Sequence, residues 1–132
     1  MFNRQELVRF QHCDPAGIVF YPRYVEMINA TVEDWFAAVV GIPFAEIHLT
    51  QNVAIPAVSL SVDFSAPSRL GEVLTFGLDV QKLGTTSVTL EITASCDNSP
   101  RLRAKLTLVF IDKSAMRPKP WPEDYRKGMV RP

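Results

Sequence analysis

The stretch Phe10-Gln11-His12-Cys13-Asp14-Pro15-Ala16-Gly17-Ile18-Val19-Phe20-Tyr21-Pro22-Arg23-Tyr24 decides the architecture, because the spacing of apolar residues changes across it. On its near side Val8 and Phe10 alternate with Arg9 and Gln11, and this period of two predicts a half-buried strand over residues 6–12. On its far side Tyr24, Met27, Ile28, Val32, Trp35, Phe36 and Val39 recur at helical spacing and define one broad apolar face. Between the two, Pro15 pushes Asp14 into an extended conformation and Gly17 permits a turn. Pro22 suits a first helical turn, where a missing N–H costs nothing, and Gly41 followed by Pro43 closes a helix of about five turns. A short second helical piece is expected over residues 44–49.

Working outward, the rest of the chain reads as strands. Val58, Leu60, Val62 and Phe64 alternate with Ser59, Ser61, Asp63 and Ser65. The same pattern returns at Leu74, Phe76, Leu78 and Val80, at Val88, Leu90, Ile92 and Ala94, and at Leu102, Ala104, Leu106, Leu108 and Phe110. The connections Pro67-Ser68-Arg69-Leu70-Gly71, Leu83-Gly84-Thr85 and Asp97-Asn98-Ser99-Pro100 hold the turn residues expected between antiparallel neighbours. The economical packing of strand, long helix and four strands is an α+β domain in which one antiparallel five-stranded sheet wraps the helix. The other face of that sheet is polar but small, rich in Ser and Thr, which suits a surface covered by a second subunit and predicts a homo-oligomer. After Asp112 a basic, proline-rich tail is expected to lie extended on the domain and to end in a helical turn over residues 123–127.

Composition narrows the function. The chain has 132 residues, 47 % of them hydrophobic and 21 % charged, so one domain over residues 1–132 with one real core is expected. Fourteen Lys plus Arg balance fourteen Asp plus Glu, which gives no long-range field to gather nucleic acid or an anionic membrane. Polar residues interrupt the first apolar stretch and no run of about 18 apolar residues occurs, so neither a secretory signal nor a membrane span is expected and the protein reads as cytoplasmic. Cys13 and Cys96, with only His12 and His48 beside them, form no zinc spacing and are expected as reduced thiols without a structural metal. A glycine-rich phosphate loop, a nucleophile-elbow serine and internal repeats are all missing, against nucleotide hydrolysis and triad chemistry.

The chemistry concentrates in the loop before the helix. Asp14 precedes a helix N-terminus, whose unpaired N–H groups attract developing negative charge. A carboxylate beside such an amide is what acyl transfer needs, one group to attack or to activate water and another to hold charge on the carbonyl oxygen. Taken alone, an Asp before a helix is more often a turn or capping residue.

The block from Phe10 to Tyr24, with its Asp-Pro-Ala-Gly and Tyr-Pro elements, resembles the signature of the hotdog-fold acyl-CoA thioesterases, and within them it is most similar to the 4-hydroxybenzoyl-CoA thioesterase family. The resemblance extends through Pro56-Ala57-Val58-Ser59, the Ser65-Ala66-Pro67-Ser68-Arg69-Leu70-Gly71 turn, Gly84-Thr85-Thr86-Ser87 and the Arg117-Pro118 tail. It implies a thioester hydrolase in which Asp14 is nucleophile or general base and the backbone N–H of Tyr21 polarises the thioester carbonyl. It also implies a site at a subunit boundary, in a homodimer or homotetramer, and no cofactor, coenzyme A being part of the substrate. Arg117 matches a tail position that contacts phosphate in the family, with Lys82, Arg101, Arg103, Lys105, Lys113 and Lys119 as helpers or merely a solvated face. The Gly84-Thr85-Thr86 turn departs from the family, because a basic run is expected there and neutral residues stand instead.

Other residues divide more evenly. Asn29, about two turns into the helix, touches a bound acyl group or is solvated, and Ser59 on the opposite strand is open in the same way. His12 reads as a surface or interface histidine without a partner. Cys13 reads as a poor nucleophile, since a carboxylate stands next to it at Asp14. The expected function is hydrolysis of an aromatic or short acyl-CoA. The alternative is a non-catalytic acyl-CoA binding or sensing module.

Overall fold

In a computed structural model that describes residues 1–130, the chain forms β1 (Phe2–Leu7), α1 (Tyr21–Trp35), α2 (Phe44–Thr50), β2 (Val53–Ala54), β3 (Ala57–Phe64), β4 (Val73–Leu83), β5 (Ser87–Cys96), β6 (Ser99–Val109), β7 (Ile111–Asp112), β8 (Arg117–Pro118) and α3 (Glu123–Met129). The helical spacing after Asp14 produces α1 as expected, with Tyr24, Met27, Ile28, Val32 and Trp35 buried. The helix continues into a wider π turn at Phe36–Val40. Gly41 then adopts the left-handed region at φ 89°, and its N–H and that of Ile42 both reach the Phe36 carbonyl.

The apolar face of α1 packs on an antiparallel sheet in the order β1-β4-β5-β6-β3. Leu74, Phe76, Leu78, Leu90, Ile92 and Ala104, the inward positions of the period-two pattern, are buried beneath it. This is the five-stranded sheet around one long helix that the patterning called for. Among the described residues no helix is long and apolar enough to cross a membrane.

Three expectations need correction. The first strand ends earlier than residues 6–12, and Phe10–His12 form a 3₁₀ turn with Phe10 83 % exposed. Local hydrogen bonds win over the ladder there: Arg9 N–H donates to His12 Nδ1 at 2.8 Å, while His12 N–H donates to the Arg9 carbonyl at 2.9 Å. Second, β3 alternates in sequence but buries neither face, with Val58 62 % exposed and Leu60 and Phe64 open as well. It is one of the two edge strands, paired only with β6 among the described residues, and only the rim of its apolar side meets α1, through Phe64 on Tyr24 and a groove that Leu60 shares with Val25. Part of the exposed apolar surface therefore lies at this edge. The outer sheet face is better furnished than a small-residue reading allows, with Glu91 near Arg103 and a Thr89–Thr107 hydroxyl contact at 3.1 Å. Third, the tail is built rather than merely extended, because β2, β7 and β8 form a second small sheet. Beyond it α3 packs its Gly128 on the backbone of Val40, where an added Cβ would come within 2.5 Å of Val40 Cα.

Candidate active site

The Asp14 loop is a tight, self-bonded reversal. Cys13 and Val19 face each other across it, Asp14 N–H donates to the Ile18 carbonyl at 3.0 Å, and Gly17 N–H donates to the Asp14 carbonyl at 3.0 Å. Gly17 sits at φ 78°, a conformation that an L side chain strains, which is why this position takes glycine. Ala16 N–H donates to Asp14 Oδ1 at 2.9 Å, which fixes the carboxylate; among the described residues Oδ2 accepts no protein hydrogen bond. The turn contact of Asp14 thus occupies one carboxylate oxygen and leaves the other open among the described residues.

The loop delivers the chain to Phe20, whose N–H donates to the His12 carbonyl at 2.9 Å, and α1 starts at the next residue. No side chain caps this helix start, Pro22 brings no N–H of its own and Arg23 N–H donates to the Phe20 carbonyl at 2.9 Å, so among the described residues the Tyr21 amide is the first-turn N–H left open to a ligand. Tyr21 is 65 % exposed, and among the described residues its phenol makes no hydrogen bond. Gln11, Cys13, Asp14, Pro15, Phe20 and Arg23 line a cleft of about 330 Å³ at this point. A carboxylate oxygen without a partner, at the mouth of a cleft beside an uncapped helix N-terminus, can deliver or activate a nucleophile next to an anion-stabilising site.

The other candidates scatter. Asn29 Nδ2 donates to Glu33 Oε2 at 2.6 Å on the exposed side of α1, and Asn29 lines a narrow apolar groove with Val25, Phe44, Leu60 and Leu106. Ser59 belongs to the other face of the same sheet, because it pairs with Thr107 while Leu60 pairs with Leu106. Arg117 is exposed in β8, opposite Asp112. It lies at the other end of the sheet from Asp14: the Asp14 loop meets Arg69 and the start of β4, whereas β7 and β8 follow the end of β6. The length of β6 separates them, on the order of 30 Å at about 3.3 Å per residue.

Two side chains differ from their sequence reading. His12 is not a partnerless surface residue; it is buried, and as the acceptor from Arg9 N–H its Nδ1 is unprotonated, leaving the proton on Nε2. Arg101 is not on a solvated face. It is 8 % exposed and its guanidinium binds both Glu72 oxygens, Nη1 to Oε1 at 2.8 Å and Nη2 to Oε2 at 2.9 Å. The Arg101 hydrogen bonds, helped by the Arg69 N–H, hold the Glu72 carboxyl down to about 2, while the same pair raises the Arg101 pKa. Cys96 next to them is a buried free thiol pushed up by desolvation, and Cys13 is also unpaired. Glu72 and Ser68 were not singled out in the sequence, since a Glu after a turn glycine carries no periodic signal. Arg126 was missed as well: its Nη1 donates to the Gly84 carbonyl at 2.9 Å, so a cation from α3 stands by the turn that lacks its own. Among the described residues, no group of three or more His, Cys, Asp or Glu side chains is placed to hold a metal ion.

Comparison with known proteins gives this geometry a context. The family model described as the thioesterase-like superfamily matches residues 8–129. A 1,4-dihydroxy-2-naphthoyl-CoA hydrolase from Nostoc punctiforme is 31 % identical over 71 % of this chain and 64 % of its own length, so the chain spans a little under two thirds of that relative. A 4-hydroxybenzoyl-CoA thioesterase from a Pseudomonas species is 31 % identical over 54 % of this chain and 51 % of its own. Among solved structures, a 1,4-dihydroxy-2-naphthoyl-CoA thioesterase from Synechocystis superposes with a TM-score of 0.90 at 22 % identity, covering 97 % of this chain and 94 % of that one. At that identity the likeness establishes the hotdog fold.

Proposed function

The chain belongs to the thioesterase-like superfamily, and we propose that it hydrolyses an aromatic or short acyl-CoA thioester to the free acid and CoA. The observation that carries this reading is the Asp14 carboxylate, anchored through Oδ1 and without a protein partner at Oδ2, in a cleft beside the uncapped start of α1. Relatives named for naphthoyl-CoA and hydroxybenzoyl-CoA substrates favour an aryl acyl group.

In this reading the thioester carbonyl oxygen takes the Tyr21 N–H, and the helix dipole favours the negative charge that collects on it. Two routes share that geometry. Asp14 Oδ2 attacks the carbonyl carbon, the C–S bond breaks with loss of the CoA thiolate, and water then cleaves the mixed anhydride. Otherwise Asp14 takes a proton from water as the hydroxide adds, and the thiolate leaves from the tetrahedral adduct. Neither route needs a cofactor.

Asn29 borders the apolar groove and is assigned to the acyl group; Ser59 and Arg117 complete the substrate contacts, Arg117 on a CoA phosphate. Asp14 and Arg117 lie at opposite ends of one sheet, so one CoA thioester meets both only across a subunit boundary. Antiparallel pairing of two β3 edges, whose apolar residues are uncovered, would bring one protomer's Arg117 end beside its partner's Asp14 end. A homodimer, or a homotetramer built from it, is therefore part of the reading, as is a cytoplasmic location. The test is a panel of benzoyl, hydroxybenzoyl, hydroxyphenylacetyl and short straight-chain CoA thioesters, with release of the free thiol followed. Turnover of an aryl thioester that Asp14→Asn abolishes supports the reading. Saturable binding without thiol release would establish the binding module instead.

A further inference from the structure

We propose that the Arg101–Glu72 ion pair, buried on its arginine side and half-buried at Glu72, is a positioning device for hydrolysis, which holds the Asp14 loop in place against the start of α1; the proposal rests on the reading of Asp14 as the reacting carboxylate. Arg101 reaches from the beginning of β6 under the turn that leads into β4. Its Nη1 donates to the Pro67 carbonyl at 3.0 Å and to Ser68 Oγ at 3.2 Å, besides the two contacts with Glu72. Glu72 Oε1 in turn accepts the Arg69 N–H at 2.6 Å. One guanidinium and one carboxylate thus close residues 67–72 into a fixed shape.

The Asp14 loop leans on that same turn through both of its limbs. On the outgoing limb Val19 N–H donates to the Ser68 carbonyl at 2.9 Å and Leu70 N–H donates to the Gly17 carbonyl at 3.1 Å. On the incoming limb Gly71 N–H donates to the Val8 carbonyl at 2.9 Å, and Val8 N–H to the Glu72 carbonyl at 2.8 Å. The helix side is reached as well. Tyr24, buried in the first turns of α1, packs on Phe64 at a ring distance of 5.3 Å, and the next residue, Ser65, donates its N–H to the Arg101 carbonyl at 2.9 Å. Tyr24 Oη and Arg101 Nε are both buried without a protein partner among the described residues, so the packing at this end is not purely apolar.

A buried ion pair is a poor way to gain stability, since apolar residues of similar volume often serve as well or better. What the planar fork of an arginine adds is direction, because its donors fix the angles of the groups they hold. Direction matters here: a misplacement of about 1 Å in a reacting group can cost on the order of a hundredfold in rate.

The experiment measures kcat and KM on the aryl-CoA thioester of the panel that turns over fastest, for Glu72→Gln and Arg101→Met, at a temperature where circular dichroism shows each variant fully folded. Expected is a kcat lower by about tenfold with KM within about twofold, together with faster amide exchange over residues 13–20. A wild-type kcat per folded molecule, with only the melting temperature reduced, overturns the proposal. So does unchanged exchange over residues 13–20. If Arg101→Met does not fold, Ser68→Ala removes a single partner and should lower kcat about two- to threefold at unchanged melting temperature, and an unchanged kcat overturns the proposal there too. Asp14→Asn is run beside them. Full activity in that variant sinks the reading of Asp14, whereas an inactive Asp14→Asn with fully active pair variants sinks the positioning role alone.

Discussion

At the end of the sheet beside Asp14, the packing is ionic and hydrogen-bonded, through Arg101, Glu72, Ser68 and the backbone of two loops. At the opposite end, where Arg117 lies, the packing is aromatic. Phe110 meets Trp121 at 4.9 Å and Tyr125 at 5.1 Å, and Gly128 seats α3 on the end of the helical column. The difference separates two requirements within one small domain. Aromatic packing gains stability from area and tolerates small displacements, whereas a network of directed bonds fixes orientation whatever stability it adds. The end that fixes orientation is the one with the candidate carboxylate.

Substitutions break this comparison in opposite ways. Asp14→Asn should lower kcat by about 10²–10⁴ with the melting temperature unchanged, measured by thiol release and calorimetry on the same sample. Phe110→Ala should do the reverse, costing about 3–5 kcal/mol in urea unfolding while the folded fraction keeps its kcat. Gly128→Ala should destabilise by about 1–3 kcal/mol, because the new methyl meets Val40 backbone rather than a side chain that can swing away.

Acid sharpens the contrast. Glu72 is held at about 2, below its ordinary 4.5, so its pairing stabilises the fold fully above about pH 4.5 and that stability is lost as pH falls toward 2. With its side chain 28 % exposed, the contribution is on the order of 2 kcal/mol, and Glu72→Gln should flatten the stability profile between those two pH values. Tyr125 is held at about 12, raised chiefly by burial, so the aromatic end keeps its neutral phenol across this window. The smallest effect is at Arg117, where Arg117→Ala should raise KM about threefold and leave kcat alone, as expected for an exposed contact with a phosphate remote from the reacting bond.

The helix was legible because Tyr24, Met27, Ile28, Val32 and Trp35 face one core, and burial is what periodicity records. The central strands were legible for the same reason. The first strand was misplaced because Arg9 N–H and the His12 ring close a local turn, which an alternation of apolar residues cannot report. For β3 the pattern gave the element but not its environment, since Val58, Leu60 and Phe64 stay largely exposed within one protomer. Asp14 stood out through the block around it. Glu72 and Arg101 did not, because their meaning lies in a contact between residues 29 positions apart.

The uncovered edge also bears on how the chain is made. β3 emerges during synthesis well before β6, the only strand it pairs with, for Ala57 waits for Leu108 and Phe64 for Leu102. Through that interval, and afterwards along its outer edge, Val58, Leu60 and Phe64 are offered to whatever extended segment is nearby. Folding yield in a concentrated preparation should therefore depend on this strand more than on the core, and a lysine in place of Val58 should improve recovery of soluble chain while weakening any pairing along that edge.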